Sequence, residues 1–452
     1  MNKGLLAFTA LVALVLALPL AAHAKIEITG AALVTAQDVD FDTTKGNLDE
    51  DFNFNDPRIN LYVNGDVSDK ISVTAKFWAS NDWSHENQRG GQNQLGGAIP
   101  NGAAATADAN GVAIASLGNG GSLNDAVEMI RAYVTLKDVA GSGFDLKVGT
   151  IDIPYGYEYA MRTANGDNMK NDFLTNSLLD INGGDEGISL SGSFDMGSTS
   201  TPLAWEIALL NGGAVTDGNP SGANSIRRSN DDLSWAIRAE VGLQENLTLQ
   251  ASYYTSDNKK DGDQDPLNVG SSFLVSNINS TLMAGAGGTG NSNLAGLVVT
   301  TDQTGVAYKR DMWEVSGKYD YGQGYVLAFW GNIDAKADSS AAILNANGVS
   351  NNPKYDYYGA QGRYNFDENS YLAVRWNRLD PNYTVAGFTN NLGQPDMWTV
   401  AAGYKLADNA MVKAEWSKFD EGGGGLSNGN GPSNDNQKAD ADALTVGLGV
   451  SF

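Results

Sequence analysis

The chain has 452 residues, a formal net charge of −24, 54 glycines, 18 tyrosines, 9 tryptophans and no cysteine. Such acidity argues against nucleic acid as a partner, and the lack of cysteine excludes disulfides and thiolate metal sites. The aromatic content is foreign to disorder, so the acidic excess must be segregated from an ordered part.

Residues 1–24 carry Lys3, an apolar core from Leu5 to Leu20 and then Ala22-His23-Ala24. That is the order of a cleavable secretory signal, with cleavage expected after Ala24. Nothing beyond it approaches the roughly 18 consecutive apolar residues of a membrane helix.

From Lys25 onward, segments of about ten residues alternate apolar and polar, the period-2 pattern of strands. They run KIEITGAALVTA, PRINLYVNGD, KISVTAKFWAS, EMIRAYVTLK, FDLKVGTID, GISLSGSFDM, LAWEIALL and LSWAIRAEVGL in the first half. LTLQASYYTS, DMWEVSGKYDY, GYVLAFWGNID, YDYYGAQGRYNF, SYLAVRWNR, DMWTVAAGYKL, AMVKAEWSKF and ADALTVGLGVSF complete a set of sixteen. The connections alternate short and long. Asp66–Asp69, Val139–Gly143, Gly197–Thr201, Gln244–Asn246, Gly322–Gly324, Asp367–Asn369 and Ala407–Asn409 are tight. Stretches 81–125, 212–232, 257–305, 335–354 and 421–440 are long and rich in Gly, Asn, Asp and Ser.

A soluble sandwich has no reason to lengthen every second connection, whereas an outer-membrane barrel has short periplasmic turns and long external loops. The pattern therefore predicts an all-β fold, a sixteen-stranded antiparallel transmembrane barrel spanning 25–452 as one domain. Stretch 291–310 leaves room for another strand pair, so eighteen strands is the alternative.

The apolar faces carry Trp205, Trp235, Tyr253, Trp313, Tyr325, Trp398, Tyr404 and Trp416, mostly toward segment ends, as interfacial girdles require. The opposite faces carry charge. The basic positions are Arg58, Lys76, Arg131, Lys147, Arg238, Lys318, Arg363, Arg375, Lys405 and Lys413. Glu27, Asp145, Glu206, Glu240, Glu314, Asp320 and Glu415 accompany them. Burying so many ions in a dry interior would cost several kcal/mol each, so these faces are predicted to line a wet pore. A slightly basic wall predicts a weak preference for anions.

The third external loop, 152–185, differs from its neighbours. Tyr155, Tyr157, Tyr159, Met161, Phe173, Leu174, Leu178 and Leu179 make it apolar enough to pack. It is predicted to fold into the lumen, with Arg162, Asp167, Lys170 and Asp172 at a constriction and Arg162 facing Arg58, Lys76 or Arg131.

Catalysis is not expected. With the signal removed, His85 is the one imidazole, so no Ser-His-carboxylate set can form on the strands. Asp257, Asp261, Asp263 and Asp265 offer oxygens for Ca²⁺, but Lys259 occupies a ligand position, and the stretch reads as a solvated acidic loop. Neither a metal nor a cofactor is predicted.

The whole pattern resembles a Gram-negative outer-membrane porin. FNDPRINLYVNGDVSDKISVTAKFWAS, with its Arg entering the strand and its polar turn, is similar to the first long hairpin of the phosphate-selective porin family. LKVGTIDIPYGYE, with Gly149, Pro154, Tyr155 and Gly156, resembles that family's strand leading into a long loop. The resemblance implies a homotrimer in outer-membrane lipid that passes small hydrophilic solutes or inorganic anions. The carboxylates on the wall depart from a dense basic ladder, which favours a weakly selective pore over a phosphate specialist. The competing class is a structural or scaffold barrel with a plugged or partner-threaded lumen.

Overall fold

The computed structural model describes residues 25–43, 46–80, 106–107, 113–114, 128–159, 171–174, 179–197, 201–211, 233–257, 267–271, 308–337, 354–381, 394–420 and 439–452. The predicted signal 1–24 lies outside them. Sixteen strands build one closed sheet. The first eight are β1 (Lys25–Thr43), β2 (Gly46–Ser68), β3 (Ile71–Ser80), β4 (Glu128–Leu136), β5 (Asp145–Asp152), β6 (Leu179–Phe194), β7 (Leu203–Leu210) and β8 (Ser234–Gln244). The others are β9 (Leu247–Asp257), β10 (Tyr308–Asp320), β11 (Gly324–Ala337), β12 (Lys354–Asn365), β13 (Ser370–Pro381), β14 (Asp396–Ala407), β15 (Ala410–Asp420) and β16 (Ala439–Ser451).

Each strand pairs antiparallel with its neighbours in sequence, and β16 closes on β1 from Ala31↔Ser451 to Thr43↔Ala439. The Gly30 N–H donates to the Phe452 carbonyl at 2.8 Å, and the Phe452 N–H returns the bond at 2.9 Å. The terminal aromatic thus closes the seam. Strands β9 and β10 pair directly, from Leu247↔Tyr319 to Asp257↔Lys309, so no further strand pair separates them. The count is sixteen. A short strand, Leu267–Ser271, pairs with the start of β6 outside the barrel sequence of neighbours.

Side-chain phase follows the predicted alternation. Ile28, Ile59, Ile188, Ile207, Leu249, Val315, Leu372, Leu444 and Leu448 face outward and are exposed, as a wall against hydrocarbon requires. Outward aromatics pack in two belts. Near the long connections Trp313 meets Trp330 edge-on at 4.8 Å, and Trp376 lies beside Tyr358 and Trp398. Near the tight turns Phe144, Phe194 and Trp205 form one cluster and Tyr364 with Phe366 another. Tyr325 is a correction to the predicted girdle: it shares parity with Leu327 and Phe329 and points inward. Strand β11 carries apolar residues on both faces near Tyr325, so composition alone could not set its phase.

Backbone geometry singles out Gly149 in β5. Its φ of +137° lies where L side chains are strained, and an added Cβ would collide with the Ala132 carbonyl oxygen. Gly149→Ala is expected to destabilise the barrel by about 1–3 kcal/mol, read as a lower midpoint in denaturant titration of the refolded protein.

The barrel interior is not uniformly wet. In the half near the long connections, an inward row runs in register through Ala208, Ala236, Tyr254, Met312, Ile333 and Tyr355. Met397, Phe419 and Ala441 form a second row, and all nine side chains are buried. This limits the predicted wet lining to part of the inner face, because the rows near the long connections are packed. Strands apolar on both faces near one end are packed on both faces there.

Candidate functional site

Two pieces of the third loop lie against the inner wall, each held by residues distant in sequence. The first is 153–159, directly after β5. Ile153, Tyr155 and Tyr157 join the apolar cluster of the inner row, and Tyr157 stacks on Phe329 at 4.5 Å. The Tyr157 N–H donates to Glu314 at 2.6 Å, and the Gly156 N–H donates to the Ser252 hydroxyl at 3.0 Å. The Tyr357 hydroxyl donates to the other Glu314 oxygen at 2.9 Å. Its proton is thereby committed, so the Tyr155 hydroxyl, 2.9 Å away, donates to Tyr357. Further along, the Tyr159 hydroxyl donates to Glu206 at 2.8 Å. Burial pushes the phenols of Tyr155 and Tyr157 well above 10.0, reinforced at Tyr155 by Glu314 and at Tyr157 by Glu158. They therefore stay protonated donors.

The second piece is 171–174. Asp172, only 6% exposed at its side chain, accepts from Arg363 Nη1 at 2.6 Å. It also accepts from the Tyr325 hydroxyl, and its carbonyl accepts from Tyr371 at 2.8 Å. Lys413 donates to the Asn171 carbonyl. The Leu174 N–H donates to Glu415 at 2.7 Å. The Arg375 guanidinium lies over the Phe173 ring at 4.3 Å. Leu174 rests on Gly447, where a Cβ would sit 2.7 Å from its methyl carbon. Glycine at 447 makes that seat.

The predicted wall residues divide accordingly. Arg375 and Lys413 are buried under the loop rather than open to water, and Arg363 is engaged by Asp172. Arg131 pairs with Asp152 at 2.6 Å and Lys147 with Glu206 at 2.9 Å. Arg238 pairs with Glu240 and Gln250. Lys318 pairs with Asp320 and Lys405 with Asp408. Lys76 lies over the Tyr62 ring at 5.4 Å. Arg58 sits opposite Ser80 on β3, and its side chain lies outside the described residues. So do Arg162, Asp167 and Lys170, and with them the predicted meeting of Arg162 with the wall. The asparagine and threonine of the first hairpin face inward together, Thr74 donating to Asn64 at 3.0 Å.

Sequence reasoning missed the tyrosines. Tyr325, Tyr355, Tyr357 and Tyr371 are inward partners, yet only parity distinguishes them from girdle residues. Tyr357, Gln361 and Arg363 share one parity, and that was the available signal. Arg310, buried on the inner face of β10, was also missed. Among the described residues no group of three or more acidic or imidazole side chains is placed to hold a metal.

No family model matches the chain, and no curated protein matches it in sequence. Solved structures do match. An anion-selective porin from Comamonas acidovorans is 9% identical with a TM-score of 0.52, over 95% of this chain and 100% of that one. OmpT, an outer membrane protein of Vibrio cholerae folded in vitro, is 9% identical with a TM-score of 0.50, over 95% and 98%. The chain has the porin fold. A closed barrel of this kind, with its apolar and aromatic-belted exterior, belongs in a Gram-negative outer membrane. The outer membrane channel DcaP of Acinetobacter baumannii also matches, at 10% identity and a TM-score of 0.49 over 95% and 98%.

Proposed function

We propose that the protein is a porin through which small hydrophilic solutes and ions diffuse passively, with a weak anion preference and no catalytic activity. The observation that carries this reading is the inner wall near the tight turns. There Lys147 in β5, Glu240 in β8 and Lys318 with Asp320 in β10 remain partly exposed on inward positions, each beside a partner of opposite charge. Charges of both signs in a closed barrel suit a water path rather than a packed core. Pairing of Arg131, Lys147, Arg238, Lys318, Arg363 and Lys405 with carboxylates supports weak selectivity over a phosphate-specialised ladder. Asp152 and 179–185 of the predicted loop belong to β5 and β6 of the wall. The intervening stretch 153–178 is proposed to lie within the lumen as the constriction, on the strength of the contacts of 153–159 and 171–174. A homotrimer is the assembly implied by the porin resemblance, and chemical cross-linking of the purified barrel in mild detergent tests it.

The buried apolar rows favour one competing reading, a barrel whose lumen is closed and whose role is structural. Reconstitution in planar bilayers separates the two. Stepwise ohmic conductance is expected for a porin, and its absence from correctly folded protein supports the closed barrel. Within the porin reading, Arg131→Glu is expected to shift the reversal potential under a KCl gradient toward cations. It would place a second carboxylate beside Asp152, while screening confines the effect to about 8 Å at physiological salt. An unchanged reversal potential would place permeation control elsewhere.

A further inference from the structure

We infer that Asp172 is the residue that both holds the third loop's return limb on the wall and sets the sign of the charge beside it. This rests on the porin reading above. Three consecutive strands converge on this one loop residue: Tyr325 from β11, Arg363 from β12 and Tyr371 from β13. The grip is reinforced on the wall itself. Gln361 donates to the Tyr325 hydroxyl at 2.7 Å, Arg363 Nε donates to Asn365 at 2.7 Å, and the Arg363 guanidinium lies 4.1 Å over the Tyr371 ring. The carboxylate is therefore met by prepositioned donors.

The two partners differ in their access to water. Asp172 is 6% exposed at its side chain and Arg363 is 28% exposed. The acid is the buried anchor and the guanidinium is the part that solvent, and a passing ion, can reach. Neutralising the acid would leave a lumen-accessible cation without its counter-charge. Removing the cation would leave a carboxylate held by the Tyr325 phenol alone, with Tyr371 still on the backbone carbonyl. A merely structural contact would make both substitutions act alike, whereas a charge-setting contact makes them act in opposite directions.

The neighbouring contacts sharpen the prediction. Asn171 and Leu174 are held through backbone groups, by Lys413 and Glu415, so side-chain exchange at 171 or 174 leaves those bonds available. Asp172 is the side chain among them that carries charge. The natural absence of cysteine gives a second readout. A thiol introduced by Leu174→Cys reports, through its labelling by a water-soluble thiol reagent, whether the limb leaves the wall.

The test uses the full-length barrel, with folding checked by heat-modifiable electrophoretic mobility. In planar bilayers under a KCl gradient, Asp172→Asn is expected to raise the chloride-to-potassium permeability ratio about twofold. Arg363→Gln is expected to lower it, and the double variant to return it near the starting value. In parallel, Leu174→Cys is expected to label about tenfold faster in the Asp172→Asn background, because the limb opens locally more often. Shifts of the same sign in both single variants, or equal labelling rates, overturn the inference. A barrel that never conducts but still labels in an Asp172-dependent way upholds the clip and defeats the porin reading instead.

Discussion

Replacing Glu314 by Ala is expected to detach the first limb of the third loop and to destabilise the folded barrel by several kcal/mol. Glu314 is 2% exposed and accepts from the Tyr157 N–H and the Tyr357 hydroxyl, one on each oxygen. Losing it strands two buried donors, and each unsatisfied buried polar group costs about 1–3 kcal/mol. The loss spreads along the chain of phenols, because Tyr357 is the acceptor for Tyr155. Gly156 packs 3.4 Å from the same carboxylate when a Cβ is placed on it, so the vacated volume lies directly beneath the loop turn. Glu314→Gln keeps a carbonyl acceptor for Tyr157 and is expected to lose roughly half as much. Denaturant midpoints of refolded protein measure the cost, and open-channel noise in bilayers measures loosening of the limb. Equal stability of the Ala variant and the parent would mean the limb is held by apolar packing alone.

The parts of the fold legible in sequence were those where the two faces of a strand differ chemically. In β16, Leu444, Val446 and Leu448 alternate with Thr445, Gly447 and Gly449, and the phase is as the alternation predicts. Alternation of tight and long connections likewise carried the strand count, since a turn such as Asp367–Asn369 has its own local chemistry, with Asp367 accepting from the Asn369 and Ser370 N–H groups at 2.7 Å. Where both faces are apolar the signal vanished. Tyr325 reads as exterior in the sequence because β11 runs GYVLAFWG, in which nothing polar marks the inner side. The apolar inner row escaped notice for the same reason: Met397 beside Trp398 and Tyr357 beside Tyr358 look like one interfacial belt until the parity is known.

Site residues were legible by kind and not by partner. Asp172 stood out as a charge in an apolar loop, yet its partner Arg363 is 191 residues away. Nothing local encodes that meeting; only the closed sheet brings β12 around to the loop. The assumption that basic inward residues all line water also failed for a physical reason. Arg375 stacks on Phe173 and Lys413 donates to a loop carbonyl, so part of the wall's charge secures the loop.

The outer face supplies the other large effect. Val446 in β16 pairs with Ala36 and Ala414, and Leu190 in β6 pairs with Leu146 and Ile207. Both lie away from the strand ends on the outward phase. Val446→Arg and Leu190→Arg, and Val73→Arg in β3, are each expected to cost about 2–4 kcal/mol, because a guanidinium at mid-membrane finds neither water nor a counter-charge. The control is Thr74→Arg, one residue from Val73 and on the inward phase. It loses the 3.0 Å bond to Asn64, worth about 1 kcal/mol, and places its charge where water can reach it. Folding equilibria in lipid vesicles under a denaturant gradient should therefore separate residues 73 and 74 although they are adjacent. The gap should shrink when the same variants are compared in detergent, where charge at the apolar belt is more easily solvated. A larger cost at 74 than at 73 in vesicles would show that the outward phase assigned to β3 is inverted, and equal costs would show that the two faces of β3 do not differ in access to water.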